Sequence, residues 1–270
     1  PEENIGIVEN QGFEAQLRHG GHSKGGDFRY NIAGNFMYAR NKVVFMDETP
    51  QPEGYEYLYL TGHPMGSSLY YQCIGINRTE EDLKNYPQMA GSGLGDYIYE
   101  DIDKNGKIDA KDMLRSDLNT IPQIVFGLTG NFQYKNFDLS ILFQGQALAR
   151  FHYTPLQAPL EGNITKEMAT QSWTLDRIDA KYGRINSTNN RKESTMWLRN
   201  AAFLRLKNVE LGYNFSGKAL KTVGIKGLRF YIGGYNLFTI SGLKEVDPET
   251  NNTATYPLMR VFNTGVKVTF

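Results

Sequence analysis

Alternation of apolar and polar residues with a period of two is the dominant pattern along the chain, and it predicts strands. In 28–38, Phe28, Tyr30, Ile32, Phe36 and Tyr38 share one face with Gly34 between them, opposite Arg29, Asn31 and Asn35. In 124–134, Ile124, Phe126, Leu128, Phe132 and Tyr134 oppose Thr129, Asn131 and Gln133. Phe137, Leu139, Ile141 and Phe143 then oppose Asp138, Ser140 and Gln144, a wall that reads as polar but mostly uncharged. Near the end of the chain Phe262, Val266, Val268 and Phe270 oppose Asn263, Lys267 and Thr269. Weaker alternation runs through 10–18, 202–214 and 228–238, with a change of parity near Asn208 that predicts a β-bulge.

This amounts to about seven strands, each near the length a tilted strand needs to cross a bilayer. The connections between them alternate. "HGGHSKGGD" is short, 44–121 is very long, "YKNF" is a tight hairpin, 149–201 is long, "SGKALKTVGIKG" is moderate and 239–258 is long. Short turns on one side and extended loops on the other are the pattern of an antiparallel transmembrane β-barrel. The fold class expected is all-β, a barrel segment with long extracellular loops. If the last strand ends in the periplasm, an odd number of strands requires more chain before Pro1, because bacterial single-chain barrels have an even number.

Composition narrows the function classes. Lys+Arg and Asp+Glu both number 29 in 270 residues, which leaves no net charge and no footprint for nucleic acid. Aromatic residues reach 13% and glycine 28 residues, as strands and turns require. The single cysteine, Cys73, rules out an internal disulfide framework. No apolar run approaches a membrane helix, which does not bear on alternating barrel strands.

One stretch carries inorganic chemistry. In "YEDIDKNGKIDAKDM", Asp101, Asp103, Asn105, Gly106, Asp109 and Asp112 follow the oxygen-ligand spacing of an EF-hand calcium loop. Side-chain oxygens of Asp101, Asp103 and Asn105, the carbonyl of Lys107, Asp109 directly or through water, and Asp112 would hold a structural Ca2+. Gly106 permits the sharp turn and Ile108 anchors the apolar side. Asp112 has a shorter reach than the usual glutamate. No helix is predicted on either side, so the loop reads as a clasp ordering a long connection poor in apolar residues. The alternative is an acidic turn without an ion.

Other candidates carry less. "GSGLG" at 91–95 lacks the strand-then-helix context of a phosphate loop. His19 and His22 lack a third metal ligand. No nucleophile–base set or paired carboxylates stand out, so no enzyme is expected. Trp173, Tyr182 and Trp197 read first as packing within a loop.

Several of these stretches together resemble the C-terminal barrel segment of SusC/RagA-type TonB-dependent transporters. They are "NIGIVENQGFEAQL", "GDYIYEDIDKNGKIDAKDM" with "IPQIVFGLTGNFQYKNFDLSILFQGQ", "STMWLRNAAFLRLKNVELGYNF", "LRFYIGGYNLFTISGLKEVDPETN" and "YPLMRVFNTGVKVTF". The resemblance spans nearly all of 1–270 in order. It implies the C-terminal part of such a barrel in the outer membrane of a Gram-negative bacterium, with the plug and early strands absent and 44–121 as an extracellular loop containing the calcium loop 101–112. It further implies import of glycans or peptides, energy delivered by TonB through a missing N-terminal region, contact with outer-membrane lipid, and a SusD-like lipoprotein partner. A terminal aromatic such as Phe270 would help barrel assembly. The competing reading is a secreted, calcium-stabilised β-rich binding or adhesion module.

Overall fold

A computed structural model describes residues 6–153, 164–215, 220, 222, 224–244, 246–250 and 255–270. Strand β1 (Gly6–His22) turns into β2 (Phe28–Met46), both longer than the alternation alone indicates. The first long connection carries β3 (Ser68–Tyr71), β4 (Cys73–Ile76), helix α1 (Glu80–Asn85), β5 (Tyr97–Tyr99) and β6 (Met113–Ser116). The hairpin β7 (Ile124–Tyr134) and β8 (Phe137–Ala147) follows. The second long connection holds β9 (Arg150–His152), α2 (Lys166–Gln171) and β10 (Leu198–Asn200), and the chain continues through β11 (Phe203–Phe215), β12 (Gly227–Ser241) and β13 (Val261–Thr269). Seven of these strands form one sheet in the order β1-β2-β7-β8-β11-β12-β13, a meander whose sheet neighbours follow one another along the chain.

The turns explain the register. Lys135 adopts φ +50° in the two-residue hairpin, closing Tyr134 against Phe137. The parity change near Asn208 is a bulge, with the pairing to both β8 and β12 shifting between Leu206 and Asn208.

The chain divides into two compact units. One comprises Gln11–Arg40, Thr120–Arg150 and Asn200–Phe270, the bulk of the large sheet. Its two faces differ as the alternation requires. Rows such as Leu128, Phe143, Leu206 and Phe238 run across four strands in register. This face is uncovered: Leu128 is 47% exposed, Ile232 50% and Phe262 77%. So continuous an apolar surface is incompatible with water and suits hydrocarbon.

The opposite face is more charged than the sequence reading allows. Arg229 bonds Asp138 and, at 2.8 Å, Glu210. Arg205, 2% exposed, bonds both oxygens of Asp247 at 2.8 Å and Glu249 at 2.7 Å, while Lys207 also reaches Glu249 at 2.7 Å. Arg205, Lys207, Glu210 and Arg229 come from strands whose alternation is weak, and Asp247 and Glu249 from the connection after β12, so reading the 124–144 hairpin alone underestimates them. Gly212 makes room for one of them, because a Cβ there would lie 2.3–2.6 Å from the Arg229 guanidinium.

The other unit comprises Asn41–Asn119 and Phe151–Arg199, together with the strand residues up to Asn10. It corrects the view that the 44–121 connection is poor in apolar residues. The two long connections fold together around Tyr97, Ile98, Tyr99, Met168, Tyr182 and Trp197, all buried. Tyr182 and Trp197 stack at 6.3 Å with an interplanar angle of 5°, so the loop aromatics do pack internally. Gly95, at φ +81°, lies under the Trp173 ring, where a Cβ would approach to 2.4 Å. A polar network completes this core: Arg184 grips the fully buried Asp96 with two bonds of 2.7 Å, and Asn190 bonds the Tyr97 N–H and the carbonyls of Gly95 and Arg184. Buried groups matched in this way rigidify a core that unmatched ones would destabilise. The connection therefore has its own core, and an ion is not needed to order the whole of it.

Candidate functional site

The acidic loop follows β5 directly. Its backbone bends through the left-handed region twice, at Lys104 (φ +57°) and Gly106 (φ +82°). Asp101 Oδ2 accepts the Gly106 N–H at 2.8 Å, and Asp101 Oδ1 that of Asn105 at 3.2 Å. Asn105 Oδ1 accepts from the Lys107 N–H at 2.9 Å. Ile108 is buried and bridges Met89, fixing the apolar side of the loop.

The loop ends on a 3-10 turn, Ala110–Asp112, instead of the long helix of an EF-hand. Asp109 caps this turn by accepting from the Lys111 N–H at 2.8 Å. Asp112 is fully buried and joins the two ends of the loop, accepting from the N–H groups of Ile102 and Asp109 at 2.8 Å and of Asp103 at 3.5 Å.

Carboxylate oxygens of Asp101, Asp103 and Asp112 come within 4.8 Å of one another. Asp109, exposed and turned to its cap, is outside this group, and Asn105 is exposed beside it. Among the described residues none of the three clustered carboxylates is in an ion pair. The Lys111 ammonium instead lies over the Tyr55 ring, 4.4 Å from its centroid. An ionised carboxylate offers about four acceptor sites. Asp101 uses two and Asp112 three, so acceptor capacity remains at the centre.

Asp103 also accepts from the Tyr55 hydroxyl at 2.9 Å. Desolvation opposes ionisation of Asp103, but bonds from Tyr55 and Asn105 outweigh it and hold the carboxyl below its usual range. The same hydrogen bond to Asp103, followed by desolvation, raises the Tyr55 phenol. A cluster of carboxylate oxygens of this kind offers the donors that a hard divalent cation prefers.

The remaining sequence candidates are placed plainly. His19 pairs with the Tyr30 hydroxyl at 3.2 Å and His22 with the Ser23 carbonyl at 3.1 Å, neither near an acidic cluster. The 91–95 stretch is a tight turn in which Gly93 N–H bonds Asp96 Oδ2 at 2.9 Å.

Comparison with known proteins assigns the architecture. No family model matches the chain. TonB-dependent receptor P3 of Formosa agariphila is 26% identical over 99% of this chain and 29% of its own length. TonB-dependent receptor SusC of Bacteroides thetaiotaomicron is 25% identical over 99% of this chain and 27% of its own. Over nearly its whole length the chain is similar to one segment of SusC/RagA-type TonB-dependent receptors. Solved structures agree on the fold. The RagAB peptide transporter superposes with a TM-score of 0.74 at 21% identity, covering 98% of this segment and 29% of that chain. The RagAB peptide importer in its closed-closed state gives 0.71 at 22% identity. The segment spans about three tenths of the length of the relatives it matches. The seven-stranded sheet of this receptor segment is therefore transmembrane barrel wall, with the apolar rows toward lipid and the charged face toward the lumen. These relatives are receptors and transporters, and the segment is not an enzyme.

Proposed function

We propose that this segment is the C-terminal barrel part of an outer-membrane active transporter of a Gram-negative bacterium. The transporter imports glycans or peptides, draws energy through TonB from a region outside this segment, and works with a SusD-like surface lipoprotein. The observation that carries the reading is the coverage: relatives that are TonB-dependent receptors match 99% of the segment. The relatives support nutrient import, and RagAB, described as a peptide transporter, supports an oligomeric substrate. The test is deletion of the gene encoding the full receptor in its host, with growth on single glycans or peptide mixtures as sole nutrient. Growth should fail on one class and return with the intact gene. Recovery of the receptor from the soluble fraction, or unaltered growth on every substrate, would overturn it. Co-purification of a lipoprotein with the tagged receptor checks the partner separately.

Within this reading Asp101, Asp103 and Asp112, with Asn105 and the Lys107 carbonyl beside them, hold a structural Ca2+, and Asp109, turned to its cap, reaches the ion through water. Three carboxylates in mutual contact without an ion pair support it. The ion would offset their repulsion and fix the loop tip; it takes no part in transport chemistry.

A further inference from the structure

We propose that Asn105–Gly106 is a self-modification site, where the loop loses ammonia through a cyclic imide, and that cation occupancy of the loop holds the reaction back. The second half rests on the calcium reading above; the first does not.

This is the only Asn–Gly pair in the 270 residues. Both residues are exposed, and the space where a Gly106 side chain would stand is empty within 4 Å, so no side chain blocks the approach of the Asn105 carboxamide from that side. Glycine also leaves the backbone the freedom to swing toward the preceding side chain. Three other asparagines of this unit are held differently: Asn77, Asn189 and Asn190 are buried, and Asn77 and Asn190 spend their amides on several bonds each.

The hydrogen bonds around Asn105 supply the required polarity. The Gly106 N–H, the nucleophile, donates to Asp101 Oδ2 at 2.8 Å, where a carboxylate can take its proton. The Asn105 carboxamide oxygen accepts from the Lys107 N–H at 2.9 Å, which draws electrons from Cγ and steadies the developing oxyanion. The leaving amide, Nδ2, donates to Asp103 Oδ2 at 2.8 Å.

The Gly106 nitrogen bonds to Asn105 Cγ, the Cγ–Nδ2 bond breaks, and nitrogen leaves as ammonia with the proton lost by the Gly106 amide. Water then opens the five-membered imide at either carbonyl. Cleavage at Cγ gives aspartate with the original backbone. Cleavage at the main-chain carbonyl gives isoaspartate, which lengthens the backbone by one carbon. Both products put a further carboxylate into the cluster, and isoaspartate also displaces the Lys107 carbonyl from its position.

A cation held through Asn105 Oδ1 fixes the carboxamide and engages the Asp101 carboxylate, so the free loop is the reactive one. With calcium at about 100 times its dissociation constant only about 1% of loops are free, and the rate should fall by up to about 100-fold.

The experiment uses the full receptor in detergent at mildly alkaline pH, incubated for days with either calcium or a chelator. Peptide mass spectrometry reads the gain of about 1 Da at Asn105, and terbium luminescence measures cation binding separately. The expected result is conversion with a mixture of aspartate and isoaspartate in chelator, strong suppression in calcium, and no conversion in N105Q. Absence of conversion in chelator overturns the proposal. Equal conversion in both arms overturns the cation control; if terbium also fails to bind, the calcium reading falls with it, whereas bound terbium shows that the calcium reading survives and only the coupling is wrong.

Discussion

Leu128 gives the sharpest test of which face meets lipid. Its strand has 11 residues, Ile124–Tyr134. At about 3.3 Å per residue and a tilt of about 40°, such a strand crosses roughly 28 Å, close to the ~25 Å apolar band of a barrel. Leu128 is one residue from the central Thr129, within about 3 Å of the midplane. It pairs with Gly34 and Phe143, and 47% of it is uncovered. Arginine at that depth on the lipid face costs about 2–4 kcal/mol. Thr129→Arg, one residue along, points to the lumen and should cost about 0–1 kcal/mol. The assay is guanidinium unfolding of the full receptor in lipid vesicles, followed by intrinsic fluorescence and by the mobility shift of the folded barrel on gels. Equal losses for the two variants, or a larger loss for Thr129→Arg, would refute the assignment of faces.

Gly95→Ala combines a left-handed backbone, costing about 1–2 kcal/mol for a residue with a Cβ, with a 2.4 Å approach to Trp173. It should raise protease cutting and hydrogen exchange across 149–201 while barrel mobility on gels stays unchanged. Gly212→Ala displaces the Arg229 guanidinium from Asp138 and Glu210 and should lower the unfolding midpoint by the equivalent of about 1–2 kcal/mol, as read by the same guanidinium titration. The Cys73 thiol is pushed up to about 11 by burial, so it is protonated at neutral pH and maleimide labelling of the native receptor should stay slow until the pH nears that value. Chelation, or Asp101→Ala with Asp103→Ala, should increase cutting between 96 and 116 only, because the surrounding core does not depend on the ion.

The large sheet was legible because each lipid-facing strand must alternate along its whole length, and one wrong residue moves a side chain into the wrong solvent. The bulge was legible for the same reason, as a break of parity at Asn208. Strand ends were less so: β2 continues to Met46 through Arg40, Asn41 and Lys42, where no apolar face enforces the period. The polar wall was misjudged because Arg205, Lys207, Glu210 and Arg229 sit on β11 and β12, where alternation is weak, and meet partners far along the chain; only register shows that Arg229 reaches Asp138, 91 residues away. The calcium-like loop was visible as a local motif, and its tight turn brings carboxylates of Asp101, Asp103 and Asp112 within 4.8 Å of one another. The departure of Asp109 was not visible, since it depends on a 3-10 turn that a helix-based motif does not anticipate. The core shared by the two long connections left its aromatic residues in view, but nothing local pairs Asp96 with Arg184, 88 residues apart.

The two polar clusters of the loop unit follow opposite logic, and the contrast bears on where a ligand belongs. Around Asp96 every charge has a partner: the carboxylate takes two guanidinium bonds and the Gly93 N–H, and Asn190 divides its amide among backbone groups of three residues. Nothing is left to bind, and removal of either member would leave a buried charge unpaired, a loss of about 3–5 kcal/mol when both are fully buried and less here, where Arg184 is 40% exposed. Around Asp112 the balance is reversed. Three carboxylates approach within 4.8 Å, the partners they have are backbone N–H groups, a carboxamide and one phenol, and no ammonium or guanidinium enters. Amide bonds lower the energy of each carboxylate alone and do nothing against their mutual repulsion. Protonation could relieve it, but Asp103 is held toward the ionised form. A divalent cation relieves it without a proton and uses the acceptor sites left over. On the two proposals above, cation binding and ageing of this loop would be two consequences of one cluster that holds three carboxylates and no fixed positive charge.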